Sequence, residues 1–458
     1  MKSTFITRLT VVLLLSAATL PAQTYKVLYN FGSHAGDPSN PRYSGAISQG
    51  RHGYLYTSAD DYWTDAIGSA FSLTTNGQLT VLHRFNIVDG EAPVGGVSLG
   101  ADGYYYGTTT FGGGAGFGTV FNMRADNGGV GTLYSFSGGD DGAYPNAAPV
   151  RSIGGDFFGT TVGTSNTHGS IYKVSASGVF TLMHVFTGSD GSAPYAPLVQ
   201  AADGDFYGTT FAGGAYGYGT IFRISRWGDF TLLYHFDFNH GAHPYASLVQ
   251  GADGDFYGVT TQGGSSSVGV AFKLKPHGNV IVLHNFTGGS DGSNPVGGLM
   301  QATDGNFYGT NNVGGAHSWG VLFRMSPTGV FKVLHAFDWT TGASPQAALL
   351  QHTNGVLYGT TAVGGSAGKG AFYTWDLKLE PFVRFLPASA YVGSKVHILG
   401  QGFYGATDVS FNEVPSSFSV IYDTYLVATV PGGATTGYIT VTMSTGTLTS
   451  DRQFTVLP

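Results

Sequence analysis

Residues 245–286 read YASLVQGADGDFYGVTTQGGSSSVGVAFKLKPHGNVIVLHNF. Four short apolar runs alternate there with turn signals. Ser247 to Gln250 is the first and Phe256 to Thr260 the second, with Asp253-Gly254 between them. A glycine-rich loop, Gly263 to Gly269, leads to Val270 through Lys273, and His277-Gly278 leads to Val280 through Phe286. Asp-Gly between alternating runs is the strongest short hairpin signal, because both turn residues must tolerate positive φ. The stretch predicts one four-stranded antiparallel sheet.

The pattern recurs about every 50 residues. A run ending in Phe gives Phe31, Phe85, Phe136, Phe186, Phe236, Phe286 and Phe337. An aromatic before a glycine in the second run, with Thr57 replacing the glycine in unit one, gives Tyr56, Tyr106, Phe158, Tyr207, Tyr257, Tyr308 and Tyr358. A Gly-x-x-aromatic mark ends at Phe71, Phe121, Tyr172, Phe222, Phe272, Phe323 and Phe372. Seven such units predict an all-β fold, a seven-bladed β-propeller over residues 25–377. The first unit opens with a strand that elsewhere comes last, and the seventh lacks one. Lys26 to Phe31 is therefore expected to complete the seventh blade as its outer strand, closing the ring and removing an exposed edge. After Leu377 the repeat stops. Short strands with turn punctuation over 380–458, and no Cys, predict a small immunoglobulin-like β-sandwich without a disulfide.

Tyr106-Gly-Thr-Thr109, Gly112-Gly113 and Gly118-Thr-Val-Phe121 resemble the GloVer-type tandem repeats of exported bacterial choice-of-anchor proteins. Gly393-Ser394, Gly400-x-Gly-Phe403, Val430-Pro431, Thr436-Gly437 and Phe454 resemble an IPT/TIG domain. The resemblance implies secretion and fold, and brings no catalytic residues with it.

Composition narrows the function. Of 458 residues, 73 are Gly and only 10% are charged, with a net charge of −7. A neutral surface without a basic stripe argues against nucleic acid as a partner. Lys2 and Arg8 before the apolar run Leu9 to Leu20, with Ala22 beyond, read as a secretory signal over 1–22. No other stretch is apolar enough to span a membrane. A secreted, extracellular or cell-surface monomer is expected.

Several residue sets invite chemistry. Gly364-Gly-Ser366-Ala-Gly368 matches a nucleophile elbow, but no helix follows, so no catalytic residue is assigned. His83, His184, His284 and His335 share one outer-strand slot with Tyr29, Tyr134 and Tyr234; on different blades they cannot share an ion and read as packing. Asp37, Asp89, Asp141, Asp190 and Asp291 precede prolines as turn residues. Calcium at single loops is compatible with them but not indicated, since no Asp-x-Asp-x-Asp-Gly loop with a terminal Glu exists. No metal or other cofactor is assigned. Gln49, Arg151, Gln200, Gln250, Gln301 and Gln351 share one first-strand slot and should line the central channel, either satisfying tightly spaced strands or meeting a ligand.

The loops between second and third strands carry the sharpest hint. One slot there varies among units: Ile67, Phe117, His168, Tyr218, Val268, Trp319 and Lys369. Unit one departs furthest, with Asp60, Asp61, Tyr62, Trp63 and Asp65. Variable aromatics on a rigid scaffold read as a binding surface. Trp63 or Trp319 could stack on a sugar, with the aspartates accepting hydroxyls; the competing reading is rings covering hydrophobic gaps. The favoured function is a non-catalytic module binding glycan or a surface protein. A propeller glycosidase or lyase would need two carboxylates facing across the mouth. A purely structural surface protein would have no ligand.

Overall fold

The computed structural model describes residues 23–42, 46–61, 67–275 and 278–458. The signal segment expected over 1–22 lies outside them. Strands Val249–Gln250, Phe256–Thr260, Val270–Leu274 and Val280–Asn285 form one antiparallel sheet in sequence order, as the 245–286 pattern predicts. The same four-stranded sheet recurs along the chain, each beginning with a short inner strand and ending with a longer outer one. The last of them takes Leu350–Gln351, Leu357–Thr361 and Ala371–Asp376 from the end of the repeats and Thr24–Asn30 from the beginning. The borrowed strand even reproduces a register irregularity, between Val27 and Tyr29, where the other outer pairings have theirs.

Register explains the repeated glycine. Gly258 faces Phe272 and Gly309 faces Phe323 on the third strand. A Cβ on Gly258 would lie 2.6 Å from Phe272 Cζ and 2.9 Å from Leu248 Cδ2, so the missing side chain is the space the ring occupies. The seventh unit corrects one expectation. Gly359 faces Tyr373, so that copy of the Gly-x-x-aromatic mark ends at Tyr373 and not at Phe372. Two adjacent aromatics left the choice to register, and Phe372 instead joins a core with Phe31, Leu55 and Phe71.

Two ladders of rings join neighbouring sheets. On the second strands, Tyr56 stacks on Tyr105, Tyr106 on Phe157, Phe158 on Phe206, Tyr207 on Phe256 and Tyr257 on Phe307, at centroid distances of 3.7 to 4.1 Å. The hydroxyls of Tyr106, Tyr207 and Tyr257 reach the carboxylate of the hairpin turn below, as Tyr257 does to Asp253 at 2.7 Å. On the outer strands, Tyr134 stacks on Phe180, His184 on Phe230, His284 on Phe331 and His335 on Tyr25. Each pair adds roughly 0.5–1.5 kcal/mol beyond its buried area.

Residues beyond the repeats fold into two four-stranded sheets around Val396, Ile398, Val409, Phe411, Leu426, Ile439 and Val441. Among the described residues no helix is long and apolar enough to cross a membrane. This C-terminal domain sits on the side of the repeats that carries the turns between first and second strands. Thr424 Oγ1 donates to the Arg51 carbonyl at 2.7 Å, the His52 ring lies 4.0 Å from that of Tyr422, and Phe382 N–H donates to the Thr353 carbonyl.

His352 joins the turn after Leu350–Gln351 to the turn after Ser48–Gln49. Its Nε2 donates to the Gly53 carbonyl at 3.0 Å and its Nδ1 accepts the Asn354 N–H, which fixes a neutral tautomer. Burial depresses its pKa to about 4. An unfolded histidine titrates near 6.5, so between those values the unfolded state binds more protons. Stability is full above about pH 6.5 and falls as the pH drops towards 4, by up to about 3 kcal/mol from this group. Thermal melts across that window are expected to decline in the wild type and to decline less in His352→Gln. Equal slopes would remove His352 as the cause.

Candidate functional site

Alternate strands run antiparallel, so the loops between second and third strands and the loops leaving the fourth strands share one side, opposite the C-terminal domain. A backbone bond locks each pair of loops. The residue before the recurring proline donates its N–H to the variable slot: Tyr144 to Phe117, Ala193 to His168, His243 to Tyr218, Ser344 to Trp319 and Asn40 to Lys369, all within 2.8–3.0 Å. These pre-proline residues, with Ala92 and Asn294, hold φ between 52° and 62°. That region is costly for non-glycine residues, by about 1 kcal/mol each, and a following proline restricts it further. One strained conformation thus recurs before each of these prolines.

Just past each proline comes a second variable slot, which the sequence reading did not single out: Arg42, Val94, Asn146, Tyr195, Tyr245, Val296 and Gln346. Four of these residues, Arg42, Tyr245, Val296 and Gln346, line one cavity of about 420 Å³ together with Asn40, Asn294, Asn312 and Ser344. The cavity is therefore assembled from loops of successive units, the fifth to the seventh, together with the first. Its signal was legible: a varying residue after a fixed proline at the repeat period. Tyr245 stacks on Tyr195 at 4.9 Å, Ser344 Oγ donates to Asn312 Oδ1 at 2.5 Å, and Gln346 Nε2 reaches the same oxygen at 3.4 Å. No Asp or Glu is among the described residues lining it.

The sequence-proposed residues surround this mouth without converging on one point. Asp60 lies 3.6 Å from Arg42 Nε. Asp61 is fully buried at φ 55° and accepts the Ser39 N–H at 2.6 Å; burial raises its pKa against that bond. Tyr62, Trp63 and Asp65 lie outside the described residues. Phe117 packs on Tyr144, and Tyr218 packs on Phe238 and His243. His168 is exposed, with Nδ1 3.2 Å from Ser192 Oγ. Lys369 covers Gly32 with its methylenes. Trp319 and Trp339 form an open pair, 40% and 44% exposed, with centroids 4.9 Å apart.

The glutamines at the other end are engaged between sheets. Gln250 Oε1 accepts the Ala202 N–H, Gln301 that of Ala252, Gln351 that of Thr303 and Gln49 that of Thr353. Their amide nitrogens return to Gly254 O, Gly305 O, Thr303 Oγ1 and Thr353 Oγ1, and that of Gln200 to Gly204 O. Arg151, the exception in this slot, makes no such bond and borders a cavity under the C-terminal domain.

The recurring aspartates hold their own turns and, additionally, the outer-strand rings. Asp190 accepts the Thr187 N–H and lies 2.9 Å from His184 Nε2; Asp89 and Asp291 meet His83 and His284 alike, and Asp141 accepts from Tyr134. Burial opposes ionisation of Asp190, but the bonds from Thr187 and His184 outweigh it and hold its pKa down. At Asp338, bonds from Thr340 and Thr341 do so more strongly, to about 2. Among the described residues no cluster of three His, Asp or Glu could hold a metal ion.

No curated protein sequence matches this chain. Among solved structures, an oligogalacturonate lyase in complex with manganese aligns over 78% of this chain and 96% of its own, at 12% identity and a TM-score of 0.50. A gluconolactonase from Xanthomonas campestris aligns over 74% and 99%, at 13% identity and a TM-score of 0.40. TolB from Acinetobacter baumannii aligns over 65% of this chain at 16% identity and a TM-score of 0.40, and the chain spans 64% of its length. These likenesses concern the propeller-like fold alone. Sequence families say more: residues 14–164 and 145–373 match the Gloeobacter/Verrucomicrobia repeat, and residues 382–456 match the IPT/TIG domain. Repeated four-stranded sheets with a docked sandwich are thus what this chain makes of its two families: it belongs to the Gloeobacter/Verrucomicrobia repeat family and carries a C-terminal IPT/TIG domain.

Proposed function

We propose that the repeated sheets are seven blades of a propeller closed between its seventh and first blades. We further propose that the open mouth is a non-catalytic glycan-binding surface of an exported or cell-surface protein. The bonds between Gln49 and Thr353 and the pairing of Thr24–Asn30 with Ala371–Asp376 support closure. One observation carries the binding reading: a fixed, strained backbone frame presents two rings of varying side chains around a cavity lined by carboxamides and Tyr245. Carboxamides donate and accept in one plane, which suits vicinal hydroxyls, and exposed rings suit sugar faces. A glycosidase would need facing carboxylates, and the described lining offers none.

Co-sedimentation with a panel of insoluble polysaccharides tests this. Retention without released sugar is expected. Tyr245→Ala and Trp319→Ala are each expected to weaken it about fivefold, the equivalent of roughly 1 kcal/mol. Trp319→Ala should melt like the wild type, because its ring is open to water. Retention unchanged in both variants would dismiss this surface, and released sugar would replace binding with catalysis.

A further inference from the structure

The channel end opposite the mouth is roofed by the IPT/TIG domain, and both domains border a chamber of about 440 Å³ between them. Three guanidinium groups reach it: Arg151 from the repeats, Arg384 and Arg452 from the C-terminal domain. Arg384 is paired, with its Nε 3.0 Å from Asp451 Oδ2. Arg151 and Arg452 have no hydrogen-bond or ion-pair partner among the described residues; Arg452 only overlies the Phe385 ring at 5.3 Å. No Asp or Glu is among the lining residues.

Desolvation against the chamber wall, with Arg384 beside it, pulls the pKa of Arg452 below the guanidinium range. Burial, with Arg51 and Arg151 nearby, likewise pushes His397 down to about 4, so this histidine adds no charge at neutral pH. On a chain of net charge −7, the chamber is a local reversal of sign in a region of low dielectric, where the field of an unpaired cation is strong. Its remaining walls are largely apolar, with Leu99, Leu386 and Pro387 among them.

We propose that this chamber binds a small organic carboxylate, whose charge neutralises Arg151 and Arg452 while its carbon skeleton lies on the apolar walls. Guanidinium groups recognise planar carboxylates through paired N–H donors. A compact inorganic anion would meet the guanidinium groups but leave the apolar walls uncovered, and a folded partner could not enter this volume. The site is independent of the mouth, which lies at the other end of the channel.

The test is calorimetric titration and thermal shift on the full-length protein with glucuronate, citrate and 4-hydroxybenzoate, against glucose and sulfate as controls. At least one carboxylate is expected to bind and raise the melting temperature, more weakly as salt increases, with glucose inert and sulfate weaker. Arg151→Gln and Arg452→Gln are each expected to weaken that binding about tenfold or more, since each removes a charge-assisted contact. Neither should destabilise the unliganded protein by more than about 1 kcal/mol, because neither arginine has a hydrogen-bond or ion-pair partner to lose and Arg452 gives up only its place over Phe385. Trp319→Ala should bind the carboxylate unchanged, which separates this site from the mouth. Either arginine variant suffices if the other fails to fold. No binding by any carboxylate, a sulfate effect equal to theirs, or wild-type affinity in an arginine variant would overturn the proposal.

Discussion

Thr353→Val is expected to lower stability by about 3 kcal/mol, or roughly 3–4 °C in melting temperature for a chain of this length. Thr353 is fully buried and touches three parts of the fold at once. Its N–H donates to Gln49 Oε1, and its hydroxyl accepts from Gln49 Nε2 at 2.7 Å and from Gln401 Nε2 at 2.9 Å. The hydroxyl also donates to the Gly400 carbonyl at 3.3 Å, and the Thr353 carbonyl accepts the Phe382 N–H. Valine keeps the shape and removes only the oxygen. Two amide donors and one carbonyl then lose their partner, and each buried polar group left unmade costs about 1–3 kcal/mol. Thr353→Ser keeps the oxygen and should lose about 1 kcal/mol, the value of a methyl group. Denaturant unfolding of the three proteins measures this directly. A valine variant within about 0.5 kcal/mol of the wild type would mean that the seam draws its stability from elsewhere.

The second large effect lies in the repeat itself. Gly258→Ala places a methyl group 2.6 Å from the buried Phe272 ring, which cannot retreat because the next sheet is packed behind it. Overpacking of this kind costs about 3 kcal/mol. Gly254→Ala provides the contrast. Gly254 has φ +84° and no atom within 4 Å of the place its methyl group would take, so only backbone strain opposes it, at about 1–2 kcal/mol. The expected order, with Gly258→Ala the more harmful, separates crowding from strain. Unit one shows that crowding can be designed around: Thr57 stands opposite Phe71 in the equivalent place, with its hydroxyl on the Ala46 carbonyl. A reversed order in the unfolding data would make the turn, not the ring pocket, the reason for the repeated glycine.

Local chemistry made the strands legible, because Asp-Gly turns and alternating rings act within a few residues of each other. The boundaries of the 245–286 sheet followed from them to within a residue or two. What pairs across units was harder to read. The glutamine slot was visible as a repeat, but its bonds run to a backbone N–H about 48 residues away, as from Gln250 to Ala202. The His and Tyr slot was visible as half-buried rings, while its partner aspartate lies beyond the end of the strand. The mouth was read from the outer loop slot, because aromatics stand out there. Asn294, Asn312 and Gln346 resemble ordinary loop residues until the loops bring them together. The docking of the C-terminal domain left no sequence signal, since it rests on single contacts such as Thr424 to Arg51 rather than on a pattern.

One sheet is built from both ends of the repeat region, Thr24 pairing with Asp376. This makes time as well as space part of the architecture. The strand Thr24–Asn30 is made before the rest of its sheet, and it must wait unpaired while some 350 residues are added. Until then its edge is open to any other strand in reach, including that of a neighbouring chain. A chain cut a few residues beyond Thr24 would lose a structural strand from the sheet at the far end of the repeats.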